Sequence, residues 1–224
     1  MITTLILDFD GVVAESIAMK AEAFRETFSF IPEHQDEIVA YHLENGGMSR
    51  YDKFRHIYEN ILHEDLTPEQ EKRLADRYAG QIFEKMLTIP FVPGAEELLR
   101  ECSRLLPLYI VSATPQGEMR EITRHRNLDQ YFVRVYGSPK TKAECVREIL
   151  AETGSSPTET LFVGDAPQDW QAARETGVRF VARVKPGDPD RFSGRPGVEA
   201  VVGNLHELQS YIRDELCSSR SRTP

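Results

Sequence analysis

The segment Leu5-Ile6-Leu7-Asp8-Phe9-Asp10-Gly11-Val12-Val13 constrains this chain more than any other. Its apolar run, Leu5 to Leu7, predicts a buried strand. Two carboxylates at alternate positions of an extended chain point the same way, so Asp8 and Asp10 converge on one small volume at the strand's end. Anions so placed repel, and either one loses its charge or a cation sits between them. A hard, oxygen-liganded cation such as Mg²⁺ meets that need. The same residues also suit an Asp-x-Asp-Gly turn whose carboxylates cap backbone N–H groups. What decides between the two lies further along the chain.

The rest of the sequence falls into two parts. From Glu15 to Leu87 the apolar residues recur at helical spacing, with no good strand. Ile17, Ala21, Phe24 and Phe28 mark a first helix, broken at Pro32. A short helix is expected from about Gln35 to Leu43. Ser49 reads as the N-cap of a third, carrying Phe54, Ile57, Tyr58, Ile61 and Leu62. Thr67-Pro68-Glu69-Gln70 has capping-box form with proline at the first helical position, and opens a fourth.

Beyond Pro93 the pattern alternates. Strands are expected at Leu108–Val111, Phe132–Tyr136, Leu161–Val163, Phe180–Ala182 and Ala200–Val202. The intervening helices begin near Pro93, Pro115, Lys142, Gln168 and Asn204. Short apolar strands alternating with helices imply a parallel sheet covered on both faces. The expected architecture is α/β, a Rossmann-like parallel sheet core with an inserted all-α domain. The core would comprise residues 1–14 and 88–217 and the helical insertion 15–87. Residues 218–224, polar and basic, read as a disordered tail.

A chain of 224 residues has room for such a core. Its net charge of −9 argues against nucleic acid or an anionic membrane as partner, while a few local cations suffice for a small phosphorylated substrate. Cys102, Cys145 and Cys217 lie far apart, without metal-ligand spacing, and read as free thiols in a reducing compartment. No N-terminal run resembles a signal peptide and no stretch has the length of a membrane span, so a cytoplasmic location is expected.

In open parallel sheets ligands bind beyond the carboxyl ends of the strands. There the sequence places Asp8 and Asp10, then Ser112-Ala113-Thr114, then Gly137-Ser138-Pro139-Lys140-Thr141-Lys142, then Gly164-Asp165-Ala166-Pro167-Gln168-Asp169. Two acids, a hydroxyl, a cation and two further acids face one place. Asp8-Phe9-Asp10-Gly11-Val12, Ser112, Lys142 and Gly164-Asp165-x-x-x-Asp169, in that order, resemble the four motifs of the haloacid dehalogenase superfamily, in its phosphatase and phosphomutase branch. The helical insertion resembles that family's mobile α-helical cap.

The resemblance implies roles. Asp8 would be the nucleophile, forming an aspartyl phosphate. Asp10 would be general acid and then base, and its first role needs it protonated, which neighbouring anions favour. Mg²⁺ would be held by Asp8, the Asp10 backbone carbonyl and Asp165, with Asp169 in support. Ser112 would hydrogen-bond a phosphoryl oxygen and Lys142 would offset its charge. Ser112, Ala113, Gly47, Arg50 and Lys142 are the substrate-binding candidates. Gly47 and Arg50 lie in a loop between two cap helices, where Arg50 suits an oxyanion or else pairs with an acid on the cap surface. Lys140 is an alternative to Lys142, Asp169 an ordinary helix cap, Thr114 turn structure, and Glu15 a hinge or substrate residue. Lys53, one turn beyond Arg50, could assist its substrate contact; Lys20 and Lys53 are also available as the cap lysine that phosphonate hydrolysis through a Schiff base would need, though nothing singles out either for that role. The six histidines show no ligand-like pairing.

The leading functional expectation is Mg²⁺-dependent hydrolysis of a small phosphomonoester, a sugar or sugar-acid phosphate. A β-phosphoglucomutase-like phosphomutase is the alternative, since Gly47-Met48-Ser49-Arg50 resembles the mutase loop. Against it, Thr114-Pro115-Gln116 lacks the lysine mutases tend to carry there. An alternative of another class is a non-catalytic protein that binds a phosphate ligand. The chain would act as a monomer or homodimer.

Overall fold

The computed structural model of the chain describes residues 1–220. Six strands form one parallel sheet in the order β3-β2-β1-β4-β5-β6. They are β1 (Thr4–Leu7), β2 (Leu108–Pro115), β3 (Arg134–Ser138), β4 (Thr160–Gly164), β5 (Arg179–Arg183) and β6 (Val198–Val202). The order runs outward both ways from β1 and β4, so the chain reverses direction across the sheet between them. Parallel strands need crossover connections, which place helices on both faces. Leu5, Leu7, Leu108, Ile110, Leu161 and Val163 enter one apolar core. Their alternates Ile6, Tyr109, Val111 and Phe162 enter the other, as the two-residue period of a strand requires.

Between β1 and β2 the chain builds α1 (Ile17–Thr27), α2 (Gln35–Glu44), α3 (Arg50–His56), α4 (Pro68–Thr88) and α5 (Ala95–Cys102). The local capping chemistry sets several of these boundaries. Ser49 accepts the Asp52 N–H to start α3, and Thr67 and Gln70 form a reciprocal capping box with Pro68 at the first helical position of α4. The helices α1 to α4 pack around Phe24, whose ring lies 5.6 Å from Phe54 and 5.1 Å from Tyr78 between centroids. The two chain crossings into and out of this block are stitched together: Glu15 N–H donates to Pro90 O (3.0 Å) and Val92 N–H to Val13 O (3.0 Å).

After β2 come α6 (Gln116–His125), α7 (Lys142–Thr153), α8 (Pro167–Thr176) and α9 (Leu205–Arg220). Three expectations need correction. β2 does not stop at Val111 but runs on through Ser112 to Pro115, because a bulge opposite β3 lets the polar segment remain extended. β3 lies two residues later than its apolar run suggested, since a short helical turn occupies Asp129–Tyr131. The last helix continues to Arg220, into the segment expected as a tail, and residues 221–224 lie outside those described. No helix among the described residues is long and apolar enough to cross a membrane.

Phe24 is 1% exposed and central to the helical block. Phe24→Ala should cost about 3–4 kcal/mol, as loss of a buried aromatic ring usually does. Urea unfolding will show this as a lowered midpoint, while an unchanged midpoint would mean the block is packed some other way.

Candidate active site

The candidate site forms where β1 and β4 part, the crevice that open parallel sheets offer to ligands. Asp8 leaves β1 with its N–H on Val163 O (2.9 Å), so the first acid is anchored directly to β4. One carboxylate oxygen of Asp8 accepts the Phe9 N–H (2.7 Å), and the other accepts Lys142 Nζ (2.8 Å). The turn that follows is tight: the N–H groups of Val13 and Ala14 both donate to Phe9 O.

Two glycines allow the acids to approach. Gly11 sits at φ +71°, and a Cβ there would stand 2.0 Å from Asp165 Oδ2. A Cβ on Gly164 would stand 2.2 Å from that of Asp169. With hydrogen at both positions, carboxylate oxygens of Asp8, Asp165 and Asp169 come within 4.8 Å of one another.

Lys142 is the cation at their centre. It is the first residue of α7, whose start is fixed by a capping box between Thr141 and Glu144. Its Nζ reaches Asp8 (2.8 Å) and Asp169 (2.5 Å), and its side chain is 7% exposed. Lys140 instead points to the surface and pairs with Glu148, so Lys142 is the lysine of the site. Asp169 does two things: one oxygen takes Lys142, and the other caps the turn before α8 by accepting the Ala166 N–H (3.0 Å).

The electrostatics follow from burial and charge count. Burial pushes the Asp8 carboxyl up to about 7, with Lys142 opposing and Asp169 and Asp10 adding to the rise. Burial and the neighbouring Asp8 and Asp169 raise Asp165 well above the usual carboxylate range. The acids beside Lys142 hold its ammonium above the usual lysine value despite burial. With all three carboxylates ionised, one ammonium would leave two negative charges uncompensated, which is why the acids resist ionisation without a further cation. An all-oxygen donor set with that excess fits a hard divalent cation such as Mg²⁺.

Asp10 is placed differently from the expectation. Its carboxylate turns away from that cluster and accepts Ser16 Oγ (2.6 Å) and Thr114 Oγ1 (3.2 Å), with Lys20 Nζ at 2.6 Å. Burial acts to raise its pKa, but Lys20 and these hydrogen bonds outweigh burial and hold Asp10 below the ordinary value. The neighbouring anions therefore do not keep it protonated, because a cation stands closer.

Thr114 thus belongs to the site, bridging Lys20 (3.0 Å) and Asp10. Ser112, 3% exposed, accepts the Thr114 N–H on its hydroxyl (3.1 Å), and Ala113 lines the same cavity.

The helical block closes over this end of the sheet. Gly47 N–H donates to Gln168 Oε1 (3.3 Å), so this glycine contacts α8. Arg50 gives both terminal nitrogens to Glu118 of α6 (3.0 and 2.6 Å) and stacks over Tyr78. Arg50 therefore pairs with an acid, as one of the two alternatives had it, but Arg50 is itself buried and its partner belongs to α6 rather than to the cap surface. Glu15 pairs with Arg183, which also donates to Gly11 O (3.0 Å) and so fixes the turn after the two aspartates. Arg183, Lys20 and Thr114 had no motif signal. Their partners are brought by the topology from distant segments. Between block and sheet lies a cavity of about 570 Å³ lined by, among others, Asp10, Lys20, His42, Lys53, Thr114 and Asp165.

Comparison with known proteins agrees with this geometry. A family model described as haloacid dehalogenase-like hydrolase matches residues 5–183, and the chain belongs to that family. Phosphoglycolate phosphatase from Synechococcus elongatus is 28% identical over 195 residues, covering 84% of this chain and 86% of the relative. Enolase-phosphatase E1 from Aquifex aeolicus is 23% identical over 212 residues, covering 84% of this chain and 92% of the relative. The crystal structure of CbbY from Rhodobacter sphaeroides in complex with phosphate is 19% identical. It gives a TM-score of 0.72 over 93% of this chain and 96% of that one, a likeness of fold.

Replacing Lys142 by Met would leave Asp8 and Asp169 buried without their cation. Breaking a buried pair this way should cost about 3 kcal/mol. Added Mg²⁺ should restore much of the loss, and should raise the melting temperature of this variant more than that of the wild type. An equal effect of Mg²⁺ on both proteins would contradict an excess of two negative charges at the site.

Proposed function

We propose that this chain is a Mg²⁺-dependent phosphatase that hydrolyses a small phosphomonoester, a sugar or sugar-acid phosphate, through an aspartyl-phosphate intermediate. One observation carries the proposal. The buried carboxylate of Asp8 has one oxygen fixed by Lys142 and sits at the end of β1, in the β1–β4 crevice, among acids that need a cation. The names of the phosphatase relatives support the same reaction class.

In this reading Asp8, Asp165 and the Asp10 backbone carbonyl would hold the ion, with Asp169 acting directly or through water. When bound, Mg²⁺ supplies the positive charge that lets an anionic phosphate approach an anionic carboxylate. Asp8 attacks phosphorus, and the ester P–O bond breaks as Asp8 becomes phosphorylated. Lys142 holds the attacking carboxylate in line and offsets charge on the transferring group. The Ser112 hydroxyl is placed to donate to a phosphoryl oxygen.

Asp10, once it has taken up a proton from solvent as substrate binds, would give that proton to the leaving oxygen, and as the carboxylate would then take one from the water that attacks the aspartyl phosphate. Lys20, Ser16 and Thr114 keep Asp10 ionised as it stands, which suits the second, base-catalysed half. Residues 15–87 serve as a cap over a core of residues 1–14 and 88–217. The two backbone pairs at Val13–Val92 and Glu15–Pro90 form its hinge. Closure excludes water from the first step.

Asp8→Asn should lower phosphate release from p-nitrophenyl phosphate and from a panel of small phosphomonoesters by at least about a thousandfold, with circular dichroism and melting unchanged. EDTA should stop the wild-type enzyme and Mg²⁺ restore it. Retained turnover in Asp8→Asn protein would refute the assignment of the nucleophile.

A further inference from the structure

Among the described residues five lysine and arginine side chains are buried: Lys20, Arg50, Lys53, Lys142 and Arg183. Four are paired with carboxylates: Lys20 with Asp10, Arg50 with Glu118, Lys142 with Asp8 and Asp169, and Arg183 with Glu15. Lys53 is the exception. It is 2% exposed, and among the described residues no carboxylate oxygen lies within 4.0 Å of its Nζ. Its polar contacts are both to His42, at 3.3 Å to Nδ1 and 3.3 Å to the carbonyl oxygen, and the Phe24 ring lies 5.7 Å from it.

A buried ammonium without a counter-charge is costly, and folded proteins keep such a group chiefly where a ligand completes it. Lys53 and His42 both line the cavity that also holds Asp10, Thr114 and Asp165. Burial, and then the charge of Lys20, bring the Lys53 amine down to about 7. Burial and Lys53 also hold the His42 imidazole well below its usual value. The imidazole is therefore neutral, and its Nδ1 accepts from the amine and orients it. Arg50 is occupied by Glu118, and Lys20 by Asp10. Lys53 is thus the buried base of the cavity that has no carboxylate partner among the described residues, and an oxyanion beside it would hold its amine in the charged form.

We propose that Lys53, oriented by His42, binds a second oxyanionic group of the substrate, so that the enzyme selects phosphomonoesters carrying a carboxylate or a second phosphate over neutral ones. This rests on the phosphatase reading above and names the substrate class of the same site. The bound oxyanion would accept from Lys53 Nζ and supply the missing counter-charge, while the phosphate to be cleaved lies at Asp8. The contact is made from α3, so it forms only while the helical block is closed on the sheet. A doubly charged substrate would then hold the block in place.

The test compares matched esters. 2-Phosphoglycolate and 2-hydroxyethyl phosphate differ in the carboxylate; fructose 1,6-bisphosphate and fructose 6-phosphate differ in the second phosphate. Wild-type enzyme should prefer at least one charged member over its neutral partner by tenfold or more in kcat/KM. In Lys53→Met the loss on the preferred charged ester should exceed the loss on its partner by more than tenfold, and should appear mainly in KM. The pair that shows the effect tells carboxylate from phosphate.

Equal losses on both members, or no preference in the wild type, would overturn the assignment of Lys53 while leaving the phosphatase reading intact. Calorimetry on Asp8→Asn protein gives a readout independent of turnover: the charged ester should bind at least tenfold tighter, and adding Lys53→Met should remove the difference. Removing an unpaired buried charge should leave the melting temperature unchanged or raised. A fall of several degrees together with non-selective loss of activity would show Lys53 to be structural and refute the proposal. Trapping of a phosphorylated aldehyde on Lys53 by borohydride would also refute it, replacing anion binding with an imine.

Discussion

Everything at the candidate site depends on holding several carboxylates together at the junction of β1 and β4. With oxygens up to 4.8 Å apart, each pair of charges repels by roughly 3 kcal/mol or more at an effective dielectric near 20. That exceeds what ordinary turn hydrogen bonds return. The sheet therefore supplies the rigidity: Asp8 is tied to Val163 of β4 before its side chain begins. Gly11 and Gly164 supply the space, and Lys142 supplies a counter-charge at the start of a capped helix. The counter-charge is incomplete, which leaves a place for a divalent ion.

The same interaction explains the position of the helical block. Its first helix delivers Lys20 to Asp10, and its third delivers Arg50 to Glu118 and Lys53 to the cavity. Each ion pair that crosses between block and sheet couples the closed position to the charge state of the site. The block is joined to the sheet by two adjacent chain crossings, so its contacts with the site can change with little disturbance of the sheet. In the proposed reading, substrate selection belongs to the block and bond-breaking to the sheet.

Much of this was legible in the sequence, and the reason is locality. Thr67-Pro68-Glu69-Gln70 and Ser49 signal helix starts through contacts made within three residues. The apolar runs of β1 and β4 leave few alternatives to a buried parallel strand, and their ends put Asp8 and Asp165 at one crevice. What was not legible depends on distance or on bulges. Ser112 to Pro115 read as a loop because polar residues follow an apolar run, yet the bulge opposite β3 keeps them extended. Lys20 and Thr114 are 94 residues apart and meet at Asp10 through the topology alone. His42 and Lys53, 11 apart, lie on different helices, and no spacing rule pairs them. Lys142 was favoured over Lys140 because it stands at a helix start, and the capping box at Thr141 puts the start of α7 there, with Lys140 left outside to pair with Glu148.

The most direct test of the account is capture of the covalent intermediate. Wild-type enzyme turning over a good substrate with Mg²⁺ is quenched in acid, digested and examined by mass spectrometry. The account predicts one phosphoryl group on the peptide containing Asp8, lost on treatment with hydroxylamine and lacking in Asp8→Asn protein. A phosphoryl group on another residue, or full turnover with none trapped under conditions that preserve acyl phosphates, would contradict it.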